Sequence, residues 1–473
     1  MNPLLAKKTV SDLQKTDEGH AGLRRALNPL QLVALGIGAV IGAGIFVLTG
    51  QAAAQCAGPA IVISFLISGV ACALAGLCYA EFASLIPVAG SAYTYAYATL
   101  GELVAWMIGW DLILEYALGT ATVAVGWSGY VVSFLHGFGV MLPPALTAAP
   151  GVNGVGVFNL PAFLAVLGVM ALLILGVRES ANVNTAIVGI KLLVIAAFLI
   201  FGVMHLHPAN WRPFLPVNTG HFGDFGWSGV LRGAGMIFFA YIGFDAVSTA
   251  AQEARNPQKD MPIGILGSLA ICTVLYILVA LVLTGVVSYT KLGVPDPIAV
   301  GIGAMGLAWL AAIVKLGVIC GLTSVMLVLC YGQTRIFYTM AHDGLLPALF
   351  SRLHPRFGTP ARATVLLGVL VAIIAALTPI KLLGELVSIG TLFAFVVVCG
   401  AVIYLRRHQP GLERPFKCPG VPWVPLAGIL VCLYLVVGLP PETQIRLLTW
   451  LAVGLIIYFA YGRYHSKVSG TNP

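Results

Sequence analysis

Long apolar stretches, separated by short polar segments, run along almost the whole chain. A helix that crosses a bilayer needs about 20 predominantly apolar residues. On that criterion the pattern predicts twelve membrane spans, at 30–50, 60–86, 100–135, 157–177, 181–206, 227–251, 261–288, 306–340, 363–379, 382–404, 420–438 and 444–462. The third and eighth spans are long enough to tilt or to extend beyond the bilayer. The predicted fold class is an all-α polytopic membrane protein.

Spans 1 and 6 carry residues that weaken a helix in the middle of an apolar stretch. Span 1 contains two glycine pairs, Gly36 with Gly38 and Gly42 with Gly44. Span 6 contains the sequence FFAYIGFD at 238–245, which places a phenol, a glycine and a carboxylate at membrane depth. Because every backbone polar group in lipid needs an internal partner, a weakened helix is tolerated there only where it lines a cavity. Two such interruptions, one opening each half of the chain, indicate the binding site of a secondary transporter.

The composition excludes a soluble globular protein. The chain has 473 residues, of which 59% are hydrophobic and 9% charged, whereas soluble domains carry about 25% charged residues. The net charge of +8 does not indicate a nucleic-acid partner, because the positions of basic residues matter more than their sum in a membrane protein. The nine cysteines form no C-x-x-C pair, and no metal or other cofactor is predicted.

The basic residues predict the orientation of the spans. Alternate loops carry most of them, and the positive-inside rule places those loops in the cytoplasm. These residues are Lys7, Lys8, Lys15, Arg24, Arg25, Arg178, Arg255, Lys259, Arg335, Arg352, Arg356, Arg362, Arg406, Arg407, Arg414, Lys417, Arg463 and Lys467. The other side keeps only Arg212, Lys291, Lys381 and Arg446. This asymmetry predicts a multi-pass protein of the inner or plasma membrane with both termini cytoplasmic, and no cleaved signal peptide is expected.

Spans 1 and 6 start on opposite sides of the membrane in this arrangement, as a five-plus-five inverted repeat requires. Spans 11 and 12 then lie outside the repeat. The predicted organisation is a cytoplasmic tail (1–28), a first repeat of spans 1–5 (29–206), an extracellular loop with a second repeat of spans 6–10 (207–404), a cytoplasmic loop (405–419), spans 11 and 12 (420–462) and a cytoplasmic tail (463–473).

Three charged residues are predicted at membrane depth. With a rise of about 1.5 Å per residue, Glu115 lies roughly 21 Å along span 3 and Lys191 roughly 15 Å along span 5. Asp111 precedes Glu115 by four residues and shares its helix face. Charges at this depth are costly and usually mark ion or proton paths. A structural ion pair or a buried carboxylic acid is the alternative for each of them.

Three further charged residues have simpler interpretations. Asp245 is able to cap the second half of span 6. Arg232 and Lys315 lie near the outer ends of their spans, where long basic side chains extend to the membrane surface.

An interrupted helix offers unpaired backbone groups to a ligand. The N-terminus of a half-helix presents free N–H groups to an anion, and the carbonyl groups freed at a half-helix C-terminus suit a cation. An α-amino acid carries both charges close together, so the paired interruptions match its head group. The glycines let the backbone approach closely. The predicted substrate-binding residues are Ile41, Gly42, Ala43, Gly44, Glu115, Phe239, Ala240 and Ile242.

Several longer motifs occur in the order known from one transporter superfamily. They are GAGIF at 42–46, CYAEFA at 78–83, GSAY at 90–93, GWDLIL at 109–114, and FAYIGFD at 239–245 followed by Glu253 and NPQ at 256–258. On these motifs, which cover spans 1 to 8, the chain resembles the amino acid–polyamine–organocation superfamily. The resemblance is strongest to its cationic amino acid transporter subfamily and the bacterial relatives of that group.

The resemblance implies a LeuT-like fold, with substrate held between the interruptions of spans 1 and 6. It implies that Phe239 closes the site from the outside and that Lys191 takes the place of a sodium ion. Thr323 and Ser324 offer hydroxyls of the kind a sodium site uses, but the Lys191 ammonium would repel the ion, so proton coupling is preferred. Glu115 departs from the animal members, which have a small polar residue there. A carboxylate at this place is able to carry the proton or to receive a cationic side chain.

The sequence therefore predicts a proton-coupled symporter that imports L-amino acids, with Lys191 and Glu115 handling the proton. Small neutral substrates are preferred because residues 325–330 hold no acid that would pair with arginine or lysine. A cationic substrate, an exchanger and a sensor with the same site are the alternatives. An enzyme is not expected, since the H-E-x-x-H and G-x-S-x-G motifs do not occur, and no repeated pore loop indicates a channel. Membrane lipid is an expected partner, and a small membrane subunit is left open.

Overall fold

The computed structural model describes residues 6–8, 27–86, 91–175, 181–249, 251, 254–354 and 359–467. Within these ranges the chain is helical, and β-type pairing is limited to an isolated bridge between Leu27 and Ala254. Most of the predicted tail 1–28 and the end of the tail 463–473 lie outside the described residues. The same holds for Lys15, Arg24, Arg25, Gly90, Arg178, Glu253 and Arg356.

Each of the twelve predicted spans overlaps a helix of eight residues or more. These helices are α1 (Pro29–Val40), α2 (Ile61–Leu85), α3 (Ser91–Thr99), α4 (Glu102–His136), α5 (Leu160–Ile174), α6 (Ala181–Val203), α7 (Gly226–Ile237), α8 (Pro257–Val286), α9 (Pro297–Ala304), α10 (Ala308–His342), α11 (Ala361–Leu377), α12 (Ile380–His408), α13 (Trp423–Gly438) and α14 (Pro441–Ile457). The predicted spans therefore correspond, in order, to α1, α2, α4–α8 and α10–α14.

Seven helical stretches of the described chain are long and apolar enough to cross a membrane. They are Gly44–Leu85, Glu102–Gly137, Thr185–Val203, Pro257–Val286, Ala308–His342, Ile380–His408 and Pro441–His465. Helices α1, α5, α11 and α13 are apolar but shorter. The molecule is a helical membrane protein.

The connections differ in part from the prediction. Between spans 1 and 2, where the sequence predicted a connection, the structure has a π-helical segment, Ala53–Ala57, followed by a 3-10 turn, Gly58–Ala60. Helices α3 and α9 were not predicted, because each is too short to register as an apolar span. Gly101 separates α3 from α4 at φ 104°, an angle that glycine adopts without steric cost.

The long helices form two packing groups. In the first, α8 packs against α1 and α2, and α2 packs against α7. In the second, α4 packs against α5, α10 and α11, and α5 packs against α11. Helix α6 joins the groups through α1, α8 and α10, and α12 joins them through α2, α4 and α7. Helices α1 and α7, which precede the predicted interruptions, therefore belong to the first group and contact the joining helices α6 and α12, respectively.

Polar contacts gather both chain ends at one end of the bundle, called the terminal end below. The Lys8 ammonium lies 2.6 Å from a carboxylate oxygen of Asp343, and the N–H of Lys467 donates to the carbonyl oxygen of the same residue at 3.1 Å. The hydroxyl of Ser466 donates to the buried carboxylate of Glu102 at the start of α4. Helix α4 therefore begins at the terminal end.

A second set of polar contacts at the terminal end surrounds the carboxylate of Glu81, on α2. Arg406 donates to both carboxylate oxygens of Glu81, at 2.9 and 2.8 Å. Arg414 lies 3.2 Å from the same carboxylate, and the N–H of Cys418 donates to it at 2.8 Å. The arrangement, called the Glu81 clasp below, fastens the loop after α12 onto α2.

Candidate substrate site

The first interruption begins where α1 ends at Val40. The helix starts with a capping box, in which the Asn28 side chain accepts from the Gln31 N–H at 2.9 Å and the Gln31 side chain accepts from the Asn28 N–H at 3.0 Å. Ile41 is extended, with φ −74° and ψ 98°. A π-helical segment, Gly44–Leu48, then resumes the helix, and no described side chain caps its start. The N–H of Phe46 donates to the carbonyl oxygen of Gly42 at 3.3 Å, and the N–H groups that precede it in this second half are left for a ligand.

The second interruption follows α7. A 3-10 turn, Phe238–Tyr241, ends in extended backbone at Ile242, with φ −63° and ψ 136°. Gly243 then adopts φ 114°, a conformation that residues with a side chain rarely adopt. A short helix, Ala246–Thr249, continues toward the terminal end. The sequence predicted both interruptions at these places.

The two interruptions touch each other. A Cβ atom on Gly44 would lie 2.3 Å from Cα of Ala240. One on Gly243 would lie 2.9 Å from the carbonyl carbon of Ala39. Glycine is therefore required at both contacts for the two backbones to approach this closely. All eight predicted substrate-binding residues are buried.

Tyr276 of α8 connects the two interruptions, and the sequence did not single it out. Its hydroxyl lies 2.8 Å from the carbonyl oxygen of Val40 and 2.7 Å from that of Ala240. Each of these carbonyl groups lies where a helix is interrupted and therefore lacks its helical N–H donor. The hydroxyl of Tyr276 is a hydrogen-bond donor to both positions. The signal available in the sequence was a tyrosine within an otherwise apolar stretch of span 7.

The predicted carbonyl groups of span 6 already have protein partners. The carbonyl oxygen of Phe239 accepts the N–H of Ile242 at 3.1 Å, and that of Ala240 faces Tyr276. A carbonyl oxygen has two lone pairs, so each retains one for a ligand.

Lys191 of α6 reaches the first interruption. Its fully buried ammonium donates to the carbonyl oxygen of Gly38 at 2.6 Å. On the other side, a Cβ atom on Gly321 of α10 would lie 3.0 Å from Cε of Lys191. The side chain therefore lies between α1 and α10, with its charge near the C-terminal end of α1, where the helix dipole favours a cation.

Glu115 of α4 lies in a different part of the bundle, among polar groups of three elements. Its neighbours are Asp111 of the same helix, Asp245 after the second interruption, and the Thr391 hydroxyl of α12. The Tyr116 hydroxyl reaches the Asp245 carboxyl. The structure therefore places three acidic side chains on the terminal-end side of the second interruption.

Helix α10 completes the surroundings of the first interruption. The side chain of Val325 would contact a Cβ atom on Gly42 at 3.4 Å. The Thr323 hydroxyl accepts from the indole of Trp127 at 3.0 Å, whereas the buried Ser324 hydroxyl has no partner among the described residues. In the described part of the chain, no cluster of three or more histidine, cysteine, aspartate or glutamate residues fits a metal ion.

Arg232 and Lys315, which were expected to extend to the membrane surface, both bond to protein groups. Arg232 lies 3.4 Å from Asp224 and 3.7 Å from Glu385 of α12. Lys315 donates to the carbonyl oxygen of Ser133 at 3.1 Å. These basic residues fasten helices and loops to one another away from the interruptions.

Comparison with known proteins gives the family. A family model described as amino acid permease matches residues 27–460. The branched-chain amino acid permease BcaP of Bacillus subtilis (strain 168) is 49% identical over 466 residues, which cover 98% of each chain. The methylthioribose transporter of the same organism is 48% identical and covers 99% of this chain and 100% of its own length. The vacuolar cationic amino acid transporter 4 of Arabidopsis thaliana is 33% identical, over 99% of this chain and 97% of its own.

These matches confirm the resemblance to the amino acid–polyamine–organocation superfamily and its cationic amino acid transporter subfamily. The family match covers nearly the whole described bundle, including both interruptions. The chain belongs to the amino acid permease family, and it is a membrane transporter of amino acids rather than an enzyme.

Proposed function

We propose that this protein imports small neutral L-amino acids by proton symport with alternating access. The observation that carries the proposal is the 2.6 Å hydrogen bond from the Lys191 ammonium to the Gly38 carbonyl oxygen at the end of α1. A fixed cation at an interrupted helix occupies a place that could otherwise take a metal cation. The proposal assigns to this ammonium a proton that is exchanged during the transport cycle.

The substrate head group binds between the interruptions. The free N–H groups at the start of the segment Gly44–Leu48 face an α-carboxylate, and the remaining lone pairs of the Phe239 and Ala240 carbonyl oxygens face an α-ammonium. The contact between Gly44 and Ala240 supports this assignment, because it brings the two ends within the span of one amino acid. Ile41, Gly42, Ala43 and Ile242 complete the backbone around it.

A small apolar side chain suits the surroundings of the first interruption. Val325 faces Gly42 there, and Glu115 lies beside Asp111 and Asp245 rather than at α1. The 49% identity to a branched-chain amino acid permease supports neutral substrates. The nearly equal identity to a methylthioribose transporter makes that compound a second candidate, and the plant relative makes cationic amino acids a third.

Sodium coupling is disfavoured by two contacts. The Lys191 ammonium repels a cation from the Gly38 carbonyl group, and the Thr323 hydroxyl is already bonded to Trp127. Glu115 and Lys191 are therefore the proposed proton-handling residues. Closure of the site from the outside is assigned to Phe239, which is buried at the second interruption.

The proposed architecture is a LeuT-like five-plus-five repeat with two additional helices and twelve spans. The packing supports it, because α2 pairs with α8, α4 with α10 and α5 with α11, each joining a predicted span to the one five places later. The domain boundaries are those predicted from the sequence. The terminal end is assigned to the cytoplasm, since the basic loops and both described chain ends gather there.

The test is uptake of labelled L-alanine and L-valine into proteoliposomes, in sodium-free buffer, with and without an inward proton gradient. Accumulation that collapses with a protonophore is expected. Competition by unlabelled L-arginine and methylthioribose measures the side-chain preference in the same vesicles. Uptake that ignores the gradient and requires internal amino acid would replace symport with exchange. Displacement by methylthioribose but by no neutral amino acid would overturn the substrate assignment.

A further inference from the structure

The carboxyl group of Asp111, on α4, has no hydrogen-bond partner in the part of the chain that the structure describes. It is fully buried, and neither carboxyl oxygen has a hydrogen-bond partner among the described residues. Gly390 of α12 faces it, and a Cβ atom on that glycine would lie 2.9 Å from Oδ1 of Asp111. A side chain at position 390 would therefore press against the Asp111 carboxyl group.

Other buried acids contrast with Asp111. Glu81 is held by two arginines. Glu102 accepts from the hydroxyls of Tyr97 and Tyr458. Asp343 pairs with Lys8 and accepts from Tyr93. Acids that hold helices together in this protein have donors, and a buried polar group without a partner calls for another explanation.

The position of Asp111 on α4 indicates a role for its unpaired carboxyl group. Asp111 lies one helical turn from Glu115, on the side of the terminal end where α4 begins. A proton leaving Glu115 toward that end passes Asp111 before it reaches the Glu102 and Asp343 contacts.

The groups around Glu115 and Asp111 influence which of the two carboxyl groups carries a negative charge. The titratable groups that face Glu115 and Asp111 in the described residues are Asp245 after the second interruption and the phenols of Tyr79 and Tyr116. Helix α12 presents Gly390 and Thr391 to the pair. Adjacent buried carboxylates repel, so the charged form of one favours the protonated form of its neighbour.

We propose that Asp111 is a further proton-carrying residue, which accepts the proton that Glu115 releases and passes it toward the terminal end. The inference rests on the proposed proton symport. In the step, the O–H bond of the Glu115 carboxylic acid breaks and an O–H bond forms on a carboxylate oxygen of Asp111, through water. The negative charge moves from Asp111 to Glu115 in the opposite direction. Asp111 then loses the same proton to water at the terminal end.

The experiment compares two transport modes of wild type and Asp111→Asn in proteoliposomes. Wild type should accumulate labelled L-alanine up to about tenfold for an inward gradient of one pH unit, the limit for one proton per substrate. Asp111→Asn should equilibrate L-alanine without accumulation. It should retain counterflow, the exchange of internal for external L-alanine, which needs no net proton movement. Glu442→Gln removes an exposed acid and should match wild type in both modes.

The outcomes separate the inference from the proposed function. If wild-type protein did not accumulate L-alanine in response to the proton gradient, the proposed proton symport would be wrong. Gradient-driven accumulation by Asp111→Asn, with a wild-type pH profile, would overturn only the role of Asp111, and so would loss of counterflow in folded variant protein. Wild-type protein gives a check that needs no variant: dicyclohexylcarbodiimide, which modifies buried protonated carboxyl groups, should label Asp111 more as the pH falls. Absence of label at Asp111 at any pH would contradict the proposal.

Discussion

The ammonium of Lys191 donates a 2.6 Å hydrogen bond to the carbonyl oxygen of Gly38, the third residue from the end of α1. The bond links α6 to the helix whose interruption forms half of the candidate site. A helix that stops inside a membrane leaves carbonyl groups without donors, and a fixed cation satisfies one of them here.

Lys191→Ala is expected to abolish gradient-driven uptake. The change removes the exchangeable charge and leaves the buried Gly38 carbonyl oxygen without a donor, at a cost of about 1–3 kcal/mol. Uptake in proteoliposomes and the thermal unfolding midpoint measure the two effects. Lys315→Ala is the matched control, because Lys315 also donates to a carbonyl oxygen within a helix but lies away from the interruptions. Wild-type accumulation by Lys191→Ala would remove this residue from the coupling mechanism.

Tyr276→Phe is expected to weaken substrate binding while the protein stays folded. The variant keeps the ring and loses the hydroxyl that serves the Val40 and Ala240 carbonyl groups. A net loss of about 1 kcal/mol corresponds to a roughly fivefold weaker Kd. Binding is measured by titration of detergent-solubilised protein with L-alanine.

The control for that variant is Tyr241→Phe. Its hydroxyl donates to the carbonyl oxygen of Phe65 at 3.0 Å, and its ring lies 5.3 Å from that of Tyr276. Equal losses of affinity in Tyr276→Phe and Tyr241→Phe would mean that the loss of any buried hydroxyl beside the second interruption, rather than of the tie between the interruptions, weakens binding.

Gly44→Ala is expected to disrupt the candidate site. The new methyl group would overlap the backbone of Ala240, and forcing the two apart costs about 1–3 kcal/mol. We expect loss of uptake together with a lower unfolding midpoint. Gly189→Ala makes the same change on α6, where a Cβ atom meets nothing within 4 Å, and it should transport like wild type. Full transport by Gly44→Ala would show that the interruptions need not touch.

Glu81→Gln is expected to destabilise the terminal end. Removing one partner of a buried ion pair costs up to about 3–5 kcal/mol, because a charge is left buried without its counter-charge. Arg414, which is 8% exposed, is left in this way and keeps only hydrogen bonds to backbone carbonyl oxygens, among them those of Leu412 and Gln409. The unfolding midpoint should fall, whereas Glu413→Gln, an exposed acid in the same loop, should leave it unchanged. A midpoint equal to that of wild type would mean that the Glu81 clasp adds no net stability.

The interruptions were predictable because their causes are local. The glycine pairs around Gly42 and the sequence around Gly243 weaken a helix wherever it lies, so the sequence alone places both breaks. The short helices α3 and α9 were not predictable from apolar length, since neither has enough residues to cross a bilayer.

The partners of individual side chains depend on distant parts of the chain. The Tyr276 hydroxyl lies within hydrogen-bond distance of one carbonyl group 236 residues away in the sequence and of another 36 residues away. No sequence pattern predicts that these positions meet. The same reason explains why the contact of Arg232 with Glu385 of α12 was not predicted. Asp111 shares a helix face with Glu115 by spacing alone, but only the packing of α12 against α4 brings Gly390 against its carboxyl group.

The Tyr276 hydroxyl has one proton and two carbonyl acceptors, so only one of its two contacts is a complete hydrogen bond at a given moment. If either interrupted helix withdraws from α8, the proton turns to the carbonyl group that stays. The number of complete hydrogen bonds is then the same before and after the movement. The Tyr276 hydroxyl therefore keeps one hydrogen bond in either arrangement and does not oppose the separation of the two interruptions when the site opens.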